Sequence, residues 1–356
     1  MNPRILVINP GSTSTKIAVF AGECPLFEET IRHDDAELER FDRIMDQEDY
    51  RRDLILAALD RHGLQVADLT AIIGRGGLLR PIPGGVYAVN ETMLTDLRSC
   101  HFGSHASNLG AILAHDLAQT AGLPSFVADP VVVDELCPLA RYSGHPDIRR
   151  RSIFHALNHK AVARRAARDL GQACQDLRLV IAHLGGGISV GAHQGGRVID
   201  VNNALDGDGP FSPERSGGLP AGQVVDWCFA PGADETDIRR RITGQGGLRA
   251  YLGTASGPEI RNRIENGDGA AEEAMEAMAY QVAKDIGAMA AVLSGQVDAV
   301  ILTGGLAHDQ NLVHLIATRV RFVAQILTYP GENELEALAL GALRCLQGDE
   351  DILIYG

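Results

Sequence analysis

Near its start the chain sets an apolar run, Ile5-Leu6-Val7-Ile8, against a polar stretch, Asn9 to Lys16, and then a second apolar run, Ile17-Ala18-Val19-Phe20. Two short apolar runs around Pro10 and Gly11 predict a strand, a tight turn and a second strand. The same order returns halfway along: 179–184 is apolar except for His183, Gly185-Gly186-Gly187 breaks it, 188–192 resumes, and Gly195-Gly196 introduces a third run at 197–200. One such pattern per half predicts an internally duplicated chain of two domains. Between and after these hairpins, 28–52 reads as surface helix and loop. Helical spacing follows at 51–61 through Leu54, Ile55, Ala58 and Leu59. A buried strand at 69–73 ends in Gly74-Arg75-Gly76-Gly77, a helix occupies 104–121, and a strand at 125–128 delivers Asp129. A helix at 154–170 leads to the second half. A long helix at 272–293 carries Met275, Met278, Val282, Ile286, Met289 and Leu293 on one face, read as core or as a dimer surface. A strand at 297–302 runs into Thr303-Gly304-Gly305, and a last helix covers 334–346. Strands alternating with helices make the chain α/β.

Length and charge narrow the function. At 356 residues there is room for two cores, and 45% hydrophobic content is that of a globular chain. Lys and Arg total 32 against 46 Asp and Glu, a net charge of −14, which repels a phosphodiester backbone and argues against nucleic acid as partner. The six cysteines form no C-x-x-C pair, so neither a disulfide framework nor a zinc ribbon is indicated. The first apolar run is too short for a signal peptide and no later one approaches a membrane span, so a cytoplasmic enzyme is expected.

The glycine turns carry the candidate chemistry. Gly11 lets backbone N–H groups approach an anion, the hydroxyls of Ser12 to Thr15 add donors, and Lys16 adds charge. This is not a P-loop, which needs a second glycine before the lysine and a helix after it. Thr303-Gly304-Gly305 could seat a nucleobase or ribose against bare backbone. Arg75 and Arg215 lie in glycine-bounded loops with little packing reason to be fixed there. With Lys16 and His155 they could surround a transferring phosphoryl group, whose oxygens need charge stabilisation. Asp129 and Glu332 are placed to hold Mg²⁺ directly or through water. His101, His105 and His115 lack metal-ligand spacing and read as solvated or core residues, and Arg149-Arg150-Arg151 reads as a solvated helix face.

Over nearly its whole length the chain resembles the acetokinase family, within the superfamily of acetate and sugar kinases, Hsp70 and actin. Asn9-Pro10-Gly11-Ser12-Thr13-Ser14-Thr15-Lys16 resembles that family's first phosphate motif, Arg151-Ser152-Ile153-Phe154-His155 its second signature and His183-Leu184-Gly185-Gly186-Gly187 its second phosphate motif. Thr303-Gly304-Gly305 resembles its adenosine motif. Ser104 to Gly110, Asp129 to Glu135, Phe154 to Asn158, Gly209 to Gly217 and Tyr329 to Glu334 are similar to the butyrate and branched-chain fatty acid kinase branch.

The resemblance implies a duplicated, actin-like (ribonuclease H-like) two-domain α/β fold with an interdomain nucleotide cleft. Its expected domains are 1–150, with 331–356 packing back on it, and 151–330. It implies ATP/ADP and Mg²⁺ as cofactors, a homodimer or higher homo-oligomer, and the reversible reaction of butyrate with ATP to give butyryl phosphate and ADP. Isobutyrate, isovalerate, propionate and acetate remain alternative acids, and an Hsp70- or actin-like conformational ATPase is the distant alternative. The implied roles place Arg215 and Arg75 on the carboxylate and phosphoryl, and His155 on the phosphoryl in the transition state. Asp129 and Glu332 go to Mg²⁺. Asn9, Gly11, Ser12 and Lys16 go to the nucleotide phosphates from the first hairpin, and His183 with Gly185, Gly186 and Gly187 from the second. Gly304 and Gly305 go to adenosine. Asn9 stands where relatives acting on sugars usually carry Asp, and a carboxylate already ionised at neutral pH needs no general base.

Overall fold

The apolar runs that open each half become strands, and both halves use them in the same order. The computed structural model describes residues 2–356. The chain divides into two units, one holding the residues up to Val133 together with Asn333–Gly356, the other Asp134–Glu332. In the first unit β1 (Arg4–Pro10) turns back into β2 (Ser14–Ala21), and β2 into β3 (Cys24–Arg32), each pair antiparallel. β4 (Ala71–Arg75) returns parallel to β1, β5 (Val86–Ala88) lies antiparallel to β6 (Ser125–Ala128), and β6 runs parallel to β4. In the second unit β7 (Arg178–Leu184), β8 (Ile188–Gln194) and β9 (Arg197–Val201) form the same antiparallel meander. β10 (Ala299–Gly304) then returns parallel to β7, and β11 (Gln325–Pro330) parallel to β10.

The duplication extends to detail. Strand order β3-β2-β1-β4-β6 in one unit answers β9-β8-β7-β10-β11 in the other. A register slip falls between Val19 and Phe20 in the first meander and between Ala192 and His193 in the second. The first sheet is extended on its far edge by β5 and by β12 (Ile352–Ile354), which pairs parallel with β5.

Ile5, Leu6, Val7 and Ile8 have no exposed surface, as expected of a central strand covered on both faces. Helix Asn108–Gln119 covers β4 so closely that a Cβ on Gly74 would overlap the Gly110 carbonyl and one on Gly110 the Arg75 carbonyl. Helix Glu334–Gln347 packs on β1 and β4 of the same unit. The methionine-bearing face of helix Gly269–Val292 is buried in the second unit's own core with β7, β8 and β10. Of its two readings, core and dimer surface, the structure supplies the first.

Two expectations are corrected. Residues 28–32 belong to β3, whose outer position and polar residues on both faces, exposed Glu28 and Thr30 beside part-buried Glu29, hid its period. Residues 149–151 are not helical: Arg149 bridges Tyr142, and Arg150 donates to the Asp200 carboxylate and to the carbonyls of Ala140 and Val201. Among the described residues no helix is long and apolar enough to cross a membrane, and all six cysteines are free thiols.

Candidate functional site

The predicted residues fall into two groups, one per unit. In the first unit the β1–β2 turn is closed by Gly11 N–H donating to the Ser14 carbonyl at 2.7 Å. Behind it lies Arg51 of helix Glu48–Arg61, only 1% exposed. Its Nη1 donates to the carbonyls of Gly11 (2.9 Å) and Ser14 (3.3 Å) and to Thr15 Oγ1 (3.0 Å), and its Nη2 to the Ser12 carbonyl (3.1 Å). Because the C=O of one residue and the N–H of the next point in opposite directions across a planar peptide, the N–H groups of Ser12 and Thr13 are turned away from Arg51. That is the arrangement an anion-binding turn requires. Burial pushes the Arg51 guanidinium down to about 10. Thr15 Oγ1 also meets His33 Nε2 at 2.9 Å, and burial, helped by the Arg51 cation, pushes His33 down to about 4.

On β1 the buried Asn9 stands opposite the exposed Lys16 of β2, so both project from one face of the sheet. Asn9 Nδ2 donates to Glu334 Oε2 at 2.7 Å. Arg75, at the end of β4, reaches the same carboxylate with Nη1 at 3.2 Å and Nη2 at 3.1 Å, and donates from Nη1 to Asn9 Oδ1 at 3.3 Å. Arg75 is therefore tethered, against the expectation of a loosely held loop arginine, and the glycine before it serves helix packing. His105 lies near Arg75: its Nδ1 meets Ser107 Oγ at 2.8 Å, and burial, with Arg75's charge, lowers its pKa. Asp129, 2% exposed and with φ of 40°, accepts from Gly85 N–H at 2.8 Å while its own N–H donates to the Gly85 carbonyl.

In the second unit the β7–β8 turn is closed by Gly185 N–H donating to the Gly187 carbonyl at 3.1 Å and by Ser212 Oγ donating to the Gly186 carbonyl at 2.6 Å. A Cβ on Gly187 would overlap Arg215 Nη1. The missing side chain is what lets the guanidinium lie against the turn, where it donates to the Ala204 carbonyl. Burial lowers the Arg215 pKa, and Glu214 opposes the shift. His155, just before helix Ala156–Leu170, stacks on His183 with ring centroids 3.7 Å apart and planes 11° from parallel. His183 Nδ1 meets Asn158 Oδ1 at 2.8 Å, while Asn158 Nδ2 donates to the Glu332 carbonyl at 3.2 Å. That orients the amide and makes Nδ1 of His183 the donor. His183 Nε2 is buried, 3.5 Å from Glu332 Oε1, and makes no hydrogen bond. Gly304 has φ of +88° and its absent Cβ would overlap the Leu184 backbone, so it packs β10 on β7. Gly305 has open space where a side chain would stand.

Asn9, Gly11, Ser12, Lys16, Arg75 and Asp129 thus belong to the first unit. His155, His183, Gly185, Gly186, Gly187, Arg215, Gly304, Gly305 and Glu332 belong to the second. Arg51 and Glu334 escaped the sequence reading. Arg51 sits four residues before Ile55 on the buried stripe of its helix, a place where a charged residue signals a buried partner. Glu334 ends the stretch from Tyr329 that was singled out for Glu332. Among the described residues no three His, Cys, Asp or Glu side chains group so as to hold a metal by themselves.

The profile of the Acetokinase family matches residues 138–327. Among solved structures, an acetate kinase from Porphyromonas gingivalis superposes with a TM-score of 0.75 at 20% identity, over 94% of this chain and 98% of that one. A propionate kinase from Francisella tularensis gives 0.71 at 20% identity over 95% and 98%. An acetate kinase from Entamoeba histolytica gives 0.74 at 16% over 95% and 98%. The fold is theirs: a two-domain, actin-like α/β architecture.

Proposed function

Because the chain belongs to the acetokinase family, phosphotransferases that use ATP and a carboxyl acceptor, we propose that it phosphorylates a short-chain carboxylate, with butyrate as the preferred acid. The observation that carries the anion chemistry is Arg215 seated on the side-chain-free backbone of Gly187, in a turn flanked by the stacked rings of His155 and His183. The choice of butyrate is supported by the long stretches shared with butyrate and branched-chain acid kinases, among them Gly209 to Gly217, the loop that carries Arg215. Propionate, isobutyrate, isovalerate and acetate are the competing acids, since one methylene in an apolar pocket separates them by only about 1–3 kcal/mol.

The residues present suit a reaction without a general base. A carboxylate of pKa ~4–5 is ionised at neutral pH and attacks as it is. Glu334, the carboxylate nearest Asn9, is tied to Asn9 and to both terminal nitrogens of Arg75, so it acts as a tether. Catalysis then consists of in-line positioning and of cancelling repulsion between two anions. Arg215 and Arg75 neutralise carboxylate and phosphoryl oxygens, and His155 hydrogen-bonds the phosphoryl as charge develops. The outward N–H groups of Ser12 and Thr13, with Asn9 and Lys16, receive nucleotide phosphate, as does the β7–β8 turn beside His183. Gly305 leaves room for the adenosine.

Asp129 of the first unit and Glu332 of the second each offer hard oxygen donors of the kind Mg²⁺ takes, the ion being held by one or two carboxylates with phosphate oxygens and water completing its shell. Held by such a carboxylate, the metal would supply charge neutralisation of the phosphates.

Incubation with Mg-ATP and straight and branched acids of two to six carbons, with hydroxylamine trapping of the acyl phosphate, tests the reading. A maximum at four carbons is expected; a maximum at two reassigns the acid, and no product from folded, ATP-binding protein removes the proposal.

A further inference from the structure

One nitrogen of the stacked pair has no hydrogen-bonding occupation. His183 is 1% exposed, and its Nε2 makes no hydrogen bond although Glu332 Oε1 lies 3.5 Å away. The state of that nitrogen follows from neighbours that can act in one way only. The Glu332 backbone carbonyl accepts, so the Asn158 atom facing it at 3.2 Å is the amide nitrogen, and Oδ1 faces His183. Oδ1 also only accepts, so Nδ1 of His183 carries the proton and the neutral ring keeps its lone pair on Nε2. An imidazolium would donate from Nε2 to the carboxylate, and no such hydrogen bond is formed. A lone pair beside a carboxylate oxygen is instead suited to a cation shared between the two.

The surroundings keep that place open and its walls fixed. A Cβ on Gly185 would stand 2.9 Å from Nε2, so the glycine clears the space before the nitrogen. His183 is held in β7 opposite Thr303 of β10. Gly331, next to Glu332, exchanges two backbone hydrogen bonds of 3.1 and 3.0 Å with Gly304. With Asn158 on the Glu332 carbonyl as well, the carboxylate springs from a pinned backbone, while its side chain is 47% exposed and within reach of a dissolved ion.

We propose that His183 Nε2 and Glu332 Oε1 are two ligands of one divalent first-row transition metal such as Mn²⁺ or Co²⁺, whose other positions take water and phosphate oxygens. The separation fits, since bonds of about 2.1 Å to nitrogen and oxygen meeting at roughly 110° hold their donor atoms about 3.4 Å apart. An imidazole whose second nitrogen donates to a fixed oxygen has its tautomer and ring orientation set for a metal, and Asn158 is that positioning residue. Imidazole nitrogen is a poor ligand for Mg²⁺, which takes oxygen, and a better one for the later ions of the row. The ring therefore tells a transition ion, gripped by both donors, from Mg²⁺ held by the carboxylate. The phosphate share of the shell rests on the carboxylate kinase reading; the two protein donors do not.

The test is electron spin-echo spectroscopy of Mn²⁺ bound with ADP to the whole chain, once unlabelled and once with ¹⁵N-histidine. A nitrogen coupling to the metal that changes with the histidine label is expected; bound Mn²⁺ without it, or no bound Mn²⁺, overturns the proposal and requires no variant to fold. His183→Gln should abolish the coupling, and a coupling that survives there overturns the assignment. By calorimetry in the presence of ADP, His183→Gln should weaken Co²⁺ roughly tenfold or more and Mg²⁺ by less than about threefold. Equal losses for the two metals, or none for Co²⁺, in folded His183→Gln overturn it as well. Should the histidine coupling appear while no acid yields acyl phosphate, the metal site stands and the kinase reading falls; acyl phosphate made with Mn²⁺ bound and no histidine coupling does the reverse.

Discussion

The β1–β2 and β7–β8 turns occupy the same place in their sheets, and they are shaped by opposite means. The first is gathered by a side chain: Arg51 collects three carbonyls from behind and leaves the N–H groups of Ser12 and Thr13 facing away. The second is shaped by missing side chains, because Gly187 leaves the volume that Arg215 fills. A polar scaffold depends on a residue distant in sequence, and a close-packed one depends on the turn itself. The sensitivities to mutation should therefore be reversed between the halves.

The largest effect is expected in the second turn. Arg215→Ala should lower kcat by roughly 10² to 10³, as removal of one charge-stabilising group does. Gly187→Ala should come within a few-fold of it without touching a charge, and should move the melting temperature little, since a guanidinium end can be displaced. Full kcat in folded Gly187→Ala would show that the turn does not seat Arg215.

In the first turn the sensitive position is Arg51. Arg51→Leu should cost about 3 kcal/mol or more in denaturant unfolding, because it leaves buried carbonyls without donors. Arg51→Lys should recover little, one ammonium being unable to span the turn. A loss below 1 kcal/mol in both would mean that the carbonyls find water instead.

Acid should weaken both units, the second more. Between pH 6.5 and about 4 the unfolded chain binds a proton that the folded His33 refuses, so stability present at pH 7 is lost as pH falls through that window. For His193 the window runs down to about 3, and His159 adds to it in the same direction. His33 and His193 should each remove about 2 kcal/mol between pH 7 and pH 5. Equal denaturant midpoints at the two pH values would show these rings solvated.

The smallest effect sharpens the comparison most. Gly11→Ala sets its Cβ 3.3 Å from the Ser14 carbonyl at an ordinary φ, a fit that a shift of a few tenths of an ångström relieves. It should cost roughly 1 kcal/mol or less and reduce kcat less than tenfold. If it proved as damaging as Gly187→Ala, the two turns would be held alike.

How much was legible in the chain follows from where the partners lie. Central strands such as β1, β4, β7 and β10 announce themselves as unbroken apolar runs because both faces are covered. β3 does not, since an edge strand with one solvated face reads as polar. The glycine turns with His155, His183 and Arg215 were legible because each motif is continuous. The Arg75–Glu334 tether was not, because its ends are 259 positions apart, and no local pattern says which carboxylate a distant arginine meets. The contacts of His159 with His193 and Ser189 were equally hidden, because a helix and a strand 34 and 30 positions away meet only in the fold.

The final strand has a consequence for biosynthesis. β12 and helix Glu334–Gln347 complete the sheet that β1 begins, yet Asp134–Glu332, roughly 200 residues, are translated in between. At ~5–20 residues per second the first unit waits about 10–40 s on the ribosome with the β5 edge unpaired and the face over β1 and β4 bare. The half that emerges first is finished last. The nascent chain is therefore most exposed to mispairing while the second unit is being made, and chaperone capture should concentrate in that interval.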